Sequence, residues 1–151
     1  MANKTNHPKK YELPYLAGMF DGEGYIGLGP HSADGKQWSM MCRIGMMGDY
    51  IPHLFLFNFG GNLGHQKNGL TYWQISSHQA LLFLKAMLPY LRLKLPQAEL
   101  ALRFQERLEK TKPFRIGKRL SKEETILRQA ERILMQELKR QTYRGVNAER
   151  K

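Results

Sequence analysis

Two acids set among glycines, Asp21 and Glu23 in the stretch LAGMFDGEG from Leu16 to Gly24, are the residues whose types and spacing best suit chemistry. Carboxylate oxygens at a helix end suit a hard cation such as Mg²⁺, which needs one or two protein carboxylates and completes its shell with water and phosphate oxygens. A cation so held activates water and stabilises the leaving oxygen of a phosphodiester. The same letters also read as an ordinary turn, since Gly and Asp cluster in turns that hold no metal. Spacing alone leaves both readings open.

The elements around the acids narrow the choice. Apolar spacing from Tyr11 to Phe20 predicts a short helix, with Pro14 in its first turn and the glycines after Phe20 ending it. Negative charge at a helix C-terminus is disfavoured by the macrodipole, so the acids call for a nearby cation. Leu16, Ala17 and Gly18 include two residues of almost no side-chain volume and invite close approach by a second helix. Two such helices meeting about a two-fold axis would bring one Glu23 each to the centre, a geometry suited to a nuclease acting as a homodimer.

Downstream, Tyr25 to Gly29 and Gln37 to Met46 alternate as strands about an Asp34-Gly35 turn, and Asn62 to Lys67 with Leu70 to Ser76 form a second hairpin about Asn68-Gly69. Between the hairpins YIPHLFLFNF predicts a helix after Asp49, a candidate N-cap, and Ser77 is placed to cap HQALLFLKAML. PQAELALRFQERLEK starts a charged amphipathic helix at Pro96. The order is αββαββα plus one further helix, an α+β fold with an antiparallel sheet. Residues 1–110 are read as its core and 111–151 as a basic helical extension, with twelve basic residues against five acids.

The whole chain, 151 residues with a formal charge of +11 and a pI near 9.9, is folded in composition and strongly basic, which favours a polyanionic partner. The lone Cys42 excludes an internal disulfide, and no Cys/His cluster has zinc spacing. MANKTNHPKK lacks a signal-peptide core and the longest apolar run, Ala80 to Leu84, falls far short of the roughly 20 residues that span a bilayer. The expectation is an intracellular protein of a reducing compartment (cytoplasm, organelle or phage-infected cell), neither secreted nor bound to a membrane.

LAGMFDGEG, with the helix-then-hairpin pattern around it, closely resembles the signature of the LAGLIDADG homing endonucleases. The resemblance extends to about Lys110 through FGGNLG, the YWQI strand and LPYLRLKLPQAELALRF, whereas Thr111 onward matches no pattern of that family. It is with the single-motif group that the chain is identified. The resemblance implies an αββαββα fold, a homodimer packed through the motif helices at Leu16, Ala17 and Gly18, and saddle-shaped sheets lying along double-stranded DNA. It further implies Mg²⁺-dependent hydrolysis of a long pseudo-palindromic target. Glu23 is then the catalytic, metal-binding carboxylate, the Gly22 carbonyl a further ligand, Asp21 a ligand or a structural acid, and Lys94 a catalytic lysine near the reacting phosphate.

Alternation in the strands sets a core face of Ile26, Leu28, Met40, Cys42, Ile44, Trp73 and Ile75 against an opposite face read as DNA-binding. On that face stand Tyr25, His31, Gln37, Ser39, Met41, Arg43, His65, Lys67, Tyr72 and Gln74; Arg43 and Lys67 suit guanine, Gln37 and Gln74 adenine, and Met41 or Tyr72 the thymine methyl. Met46 and Met47 depart from the family, which has a polar active-site residue after the second strand. That departure keeps an alternative open: a cleavage-deficient DNA-binding protein, or an RNA maturase whose partner is an intron RNA.

Overall fold

The computed structural model describes residues 12–111 and 120–148. The N-terminal MANKTNHPKK and residues 112–119 of the extension, on which the composition reading drew, lie outside the described residues. Helix α1 spans Glu12–Glu23 and runs directly into strand β1, Gly24–Pro30. Then come β2 (Trp38–Met47), α2 (Tyr50–Phe59), β3 (Asn62–His65), β4 (Leu70–Ser76), α3 (Ser77–Met87), a single 3₁₀ turn over Leu88–Tyr90, α4 (Leu95–Lys110) and α5 (Lys122–Ala148). The αββαββα order is the observed one.

Two hairpins join side by side into one antiparallel sheet of order β1-β2-β4-β3. Cys42 stands opposite both Ile26 and Ile75, and Ile44 opposite Trp73, so the apolar alternation of three strands converges on one face. Helices cover that face. Phe20 from α1, Phe55 and Phe59 from α2, Phe83 from α3 and Trp73 from β4 form one aromatic cluster with edge-to-face and tilted contacts at 4.8–6.4 Å between ring centroids. Phe20, Phe55, Phe83 and Trp73 are fully buried and Phe59 partly so; truncating one of the four fully buried rings to alanine costs about 3–5 kcal/mol, so the cluster does much to hold the sheet to its helices. The Trp73 indole N–H is satisfied by the Gly60 carbonyl at 2.6 Å.

Several local expectations are corrected. The first helix does not stop before the acids: Asp21, Gly22 and Glu23 form its last turn. Asp49 makes no side-chain cap on α2, and its carboxylate instead accepts from the Thr71 hydroxyl at 3.5 Å. Nor does Ser77 cap α3; it is already inside the helix, at a positive φ of 55°. Strand β3 ends at His65, because Gln66 closes the turn by donating its N–H to the Leu70 carbonyl.

Helix α5 docks on α4 and β1. Met135 is fully buried and Leu138 packs against the same core, while Arg107 of α4 forms a two-pronged ion pair with Glu131 at 2.6 Å and reaches Glu124 at 3.5 Å. Glu124 is shared with Arg128, which is buried. A fork-on-fork arginine–carboxylate pair fixes orientation as well as distance, so the helix is held in one rotational setting. Among the described residues no helix is long and apolar enough to cross a membrane.

Candidate active site and nucleic-acid interface

The last turn of α1 separates the two acids by their direction. Asp21 points inward and is 9% exposed. Its Oδ2 accepts the backbone N–H groups of Arg92 and Leu93 at 3.1 and 2.9 Å, and its Oδ1 that of Lys94 at 2.8 Å. Three backbone donors therefore occupy the carboxylate. It pins the segment before α4 beneath the end of α1.

That segment delivers Lys94. Its ammonium, only 6% exposed with the rest of the residue, donates to the Asp21 main-chain carbonyl at 2.6 Å, satisfying an orphan carbonyl at the helix C-terminus. Burial pulls the lysine below its ordinary pKa, and the charges of Asp21 and Glu23 partly offset that pull. Gly22 and Glu23, in contrast, are exposed. The cation that the macrodipole argument asks for is therefore a buried lysine held at the root of the motif.

The donors available to a divalent metal are the Glu23 carboxylate and the Gly22 carbonyl, both hard oxygen ligands at an exposed helix end. No group of three or more His, Cys, Asp or Glu side chains among the described residues gathers into a metal site. Such a donor set fits Mg²⁺, which binds through one or two carboxylates plus waters and phosphate oxygens, and does not fit a metal needing a full protein cage.

A shallow cavity of about 100 Å³ lies beside this end of α1, lined by Asp21, Gly22, Tyr25, Lys94, Gln97 and Lys139, among others. Lys139 comes from α5, an element for which the motif gave no signal. Its ammonium sits 3.6 Å from the centroid of the Tyr25 ring. Burial, and after it the neighbouring Lys94 charge, pushes its pKa down to about 8. Sequence patterning indicated only that this helix has an apolar stripe, not which basic residue beside the stripe turns inward.

On the open face of the sheet, Tyr25, Arg43 and Gln74 stand in one row across β1, β2 and β4. The Arg43 guanidinium donates through Nε and Nη2 to the Gln74 side-chain oxygen and lies over the Tyr72 ring at 4.6 Å. Met41, half-buried, joins them. Tyr25 lies across Gly27 and Tyr72 across Gly64, where a Cβ would come within 2.7 and 2.1 Å of the respective tyrosine side chains. Glycine is needed at both places for the rings to lie flat.

Other expected residues fall elsewhere. His31 and Gln37 sit in the exposed β1–β2 loop, where the Gln37 carbonyl accepts the His31 N–H, and Lys67 in the exposed β3–β4 turn. Ser39 has the predicted side but is buried. His65 is a correction: it pairs with Thr71, on the helix-covered side, and its ring nitrogen meets the Thr71 hydroxyl at 3.1 Å. Asn62, opposite Gln74, and Gly64, opposite Tyr72, are the β3 residues on the open face. Leu63 pairs with Trp73, and His65, two residues further along, shares its side. Met47 is on the open face and 70% exposed, whereas Met46 faces the helices.

The three positions expected at the dimer interface, Leu16, Ala17 and Gly18, also separate. Leu16 and Ala17 are fully buried inside the protomer, and only Gly18 is exposed, with nothing within 4 Å of where a Cβ would stand. Successive helical residues differ by about 100° in direction, so three in a row cannot all face one partner. The outward stripe is Pro14, Tyr15, Gly18 and Gly22.

The fold is that of the LAGLIDADG homing endonucleases. A homing endonuclease, I-CvuI, in complex with its target in the presence of calcium, superposes with a TM-score of 0.61 at 24% identity over 68% of this chain and 70% of that one. Another homing endonuclease, I-TnaI, has a TM-score of 0.64 at 19% identity and covers 89% of this chain and 97% of its own. The LAGLIDADG homing endonuclease I-SmaMI, bound to cleaved DNA, has a TM-score of 0.57 at 17% identity, covering 78% of this chain and 47% of that chain. No protein-family model matches the chain, and no curated protein does.

Proposed function

We propose that this protein is a site-specific DNA endonuclease that acts as a homodimer on a long, nearly palindromic duplex and requires a divalent metal, Mg²⁺. The observation that carries the reading is the division of labour at the end of α1: Asp21 is sequestered, while Glu23 and Gly22 stay exposed beside the Lys94 that Asp21 holds. This lies where β1 begins, so a duplex on the open sheet face meets the carboxylate and the reading surface together. The net charge of +11 supports a polyanionic partner, and solved complexes of I-CvuI and I-SmaMI hold DNA.

When bound by the Glu23 carboxylate and the Gly22 carbonyl, a divalent cation supplies an activated water and charge stabilisation at the leaving oxygen. Glu23 carries the negative charge that holds it. Lys94, fixed through its ammonium to the Asp21 carbonyl, presents positive charge toward the phosphate without swinging free, which stabilises charge that develops in the transition state. Asp21 positions both. Arg43, Gln74 and Tyr72 form a pre-organised group on the reading surface, with Gln37, His31 and Lys67 extending it into the two loops. Dimerisation runs through the stripe around Gly18.

A second reading is favoured by Met47, which presents an apolar, exposed side chain on the open face where the resemblance implies a polar one. On that reading the protein binds DNA, or an intron RNA, and leaves it intact. The deciding experiment incubates the purified protein with a randomised duplex library and Mg²⁺, selects bound DNA and maps strand ends. Cleavage at one site per strand that is lost in Glu23→Gln with unchanged affinity is the expected result. Selective binding with intact strands establishes the second reading, and cutting by Glu23→Gln at the wild-type rate removes Glu23 from the mechanism.

A further inference from the structure

We propose that Lys139, delivered by α5, is a phosphate-binding catalytic residue of the same site, where with Lys94 it forms a two-lysine cradle for the phosphodiester that is cut. The inference rests on the nuclease reading and adds to it a residue from outside the segment that carries the motif.

Four observations converge. Lys94 and Lys139 line the same cavity at the C-terminal end of α1, one from before α4 and the other from α5. Lys139 forms no ion pair within 4 Å among the described residues, although it is half-buried. What holds it is the face of Tyr25, 3.6 Å from its ammonium to the ring centroid, and that tyrosine is itself on the reading surface two residues after Glu23. The setting of α5 is fixed from both sides, by the Arg107–Glu131 pair near its start and by the Gln97–Thr142 hydrogen bond of 3.3 Å one turn past Lys139.

Two ammonium groups that line one cavity repel each other and are poorly solvated, and the Asp21 carboxylate in the same lining is already taken up by three backbone N–H groups; an anion entering the cavity offsets both costs. The cavity has room for the oxygens of one phosphate group. In hydrolysis, water adds its oxygen to phosphorus while the bond from phosphorus to the leaving sugar oxygen breaks. The proton lost by the water passes to solvent and the leaving oxygen acquires one from solvent. Lys139 exchanges no proton: its ammonium donates hydrogen bonds to a non-bridging oxygen, whose negative charge grows as the water adds.

Single-turnover cleavage at saturating DNA with Mg²⁺ tests this in wild type, Lys139→Met, Lys139→Arg and Leu138→Ala, with unfolding midpoints measured for all four. Lys139→Met is expected to slow the cleavage step about 10²–10³-fold, the loss typical of removing one transition-state donor, with little change in the DNA concentration that saturates it. Lys139→Arg should recover part of the rate. Leu138→Ala loosens the same helix contact and leaves the ammonium in place, so it should lower the midpoint more than the rate. Cleavage by Lys139→Met within twofold of wild type, or an equal loss in Leu138→Ala, overturns the proposal and leaves the nuclease reading standing.

If the wild type binds DNA without cutting, the nuclease reading fails and the lysine is judged by binding alone. Lys139→Met should then reduce the slope of log Kd against log salt by about one. An unchanged slope overturns the phosphate contact as well.

Discussion

Asp21 and Lys94 hold each other twice: the carboxylate accepts the Lys94 backbone N–H at 2.8 Å, and the Lys94 ammonium returns a hydrogen bond to the Asp21 main-chain carbonyl at 2.6 Å. Removing the carboxylate strands three backbone N–H groups, and each buried orphan donor costs about 1–3 kcal/mol before relaxation and water entry reduce the total. Asp21→Ala should therefore lower stability by about 2–4 kcal/mol, seen in urea unfolding as a lower midpoint with an unchanged slope. Asp21→Asn keeps one acceptor oxygen and should lose less. A midpoint unmoved in Asp21→Ala would show that the carboxylate does not hold the segment before α4.

Two adjacent residues of α1 should respond in opposite ways to the same added bulk. Ala17 is 0% exposed, so Ala17→Leu overpacks the core and should cost the protomer about 1–3 kcal/mol. Gly18 has open space around it, so Gly18→Leu should leave the protomer at least as stable, helped by about 0.5–1 kcal/mol of helix propensity, while disrupting a two-fold helix seam. Sedimentation equilibrium should show a weaker dimer for Gly18→Leu. A dimer of unchanged affinity would move the interface off this face.

What was legible in the sequence was whatever repeats locally. Alternation along β1, β2 and β4 named the buried face, because every second side chain of a strand points the same way and three strands agree in register. The elements of β3 were not legible from their polar residues, because a four-residue strand offers only two positions per face. The part of Asp21 was ambiguous for another reason: its partners lie more than seventy residues away in the chain, and no local pattern announces them. Lys139 was invisible as a site residue, since amphipathicity gives a helix a buried side without saying what it is buried against.

The α4–α5 contact should depend on Arg107 more than on any apolar residue exposed along α5. Arg107 pairs with Glu131 and Glu124 at once, and its Nε is buried without a partner, a cost that the two-pronged pair offsets. Glu131→Gln leaves the guanidinium facing a neutral amide, and because breaking one half of a part-buried pair costs more than the pair contributes, about 1–3 kcal/mol of docking energy should go. Hydrogen exchange should report it as faster opening of α5, with the four strands unaffected. Uniform protection across α5 and the sheet in this variant would show that the helix is held by Met135 and Leu138 instead.

Lys139 also gives stability a pH dependence whose sign follows from its surroundings. Burial and the Lys94 charge hold its pKa in the folded chain at about 8, below the ordinary 10.5, while the Tyr25 face and the buried Cys42 thiol are its other close neighbours. Below pH 8 both folded and unfolded chains carry the proton and folding bears the cost of the buried charge. Between about 8 and 10.5 the unfolded chain binds more protons than the folded one, so this group makes stability rise with pH in that window. The ammonium is partly open to solvent, which screens the effect to the order of 1 kcal/mol. Lys94, also depressed by burial, titrates in the same direction, so the comparison must be between wild type and Lys139→Met rather than across pH alone. From pH 7 to 9.5, urea unfolding of the two should show the wild type gaining on the variant. Parallel curves would mean that the lysine is no less solvated in the folded chain than in the unfolded one, and that the cleft between α1 and α5 is open to water.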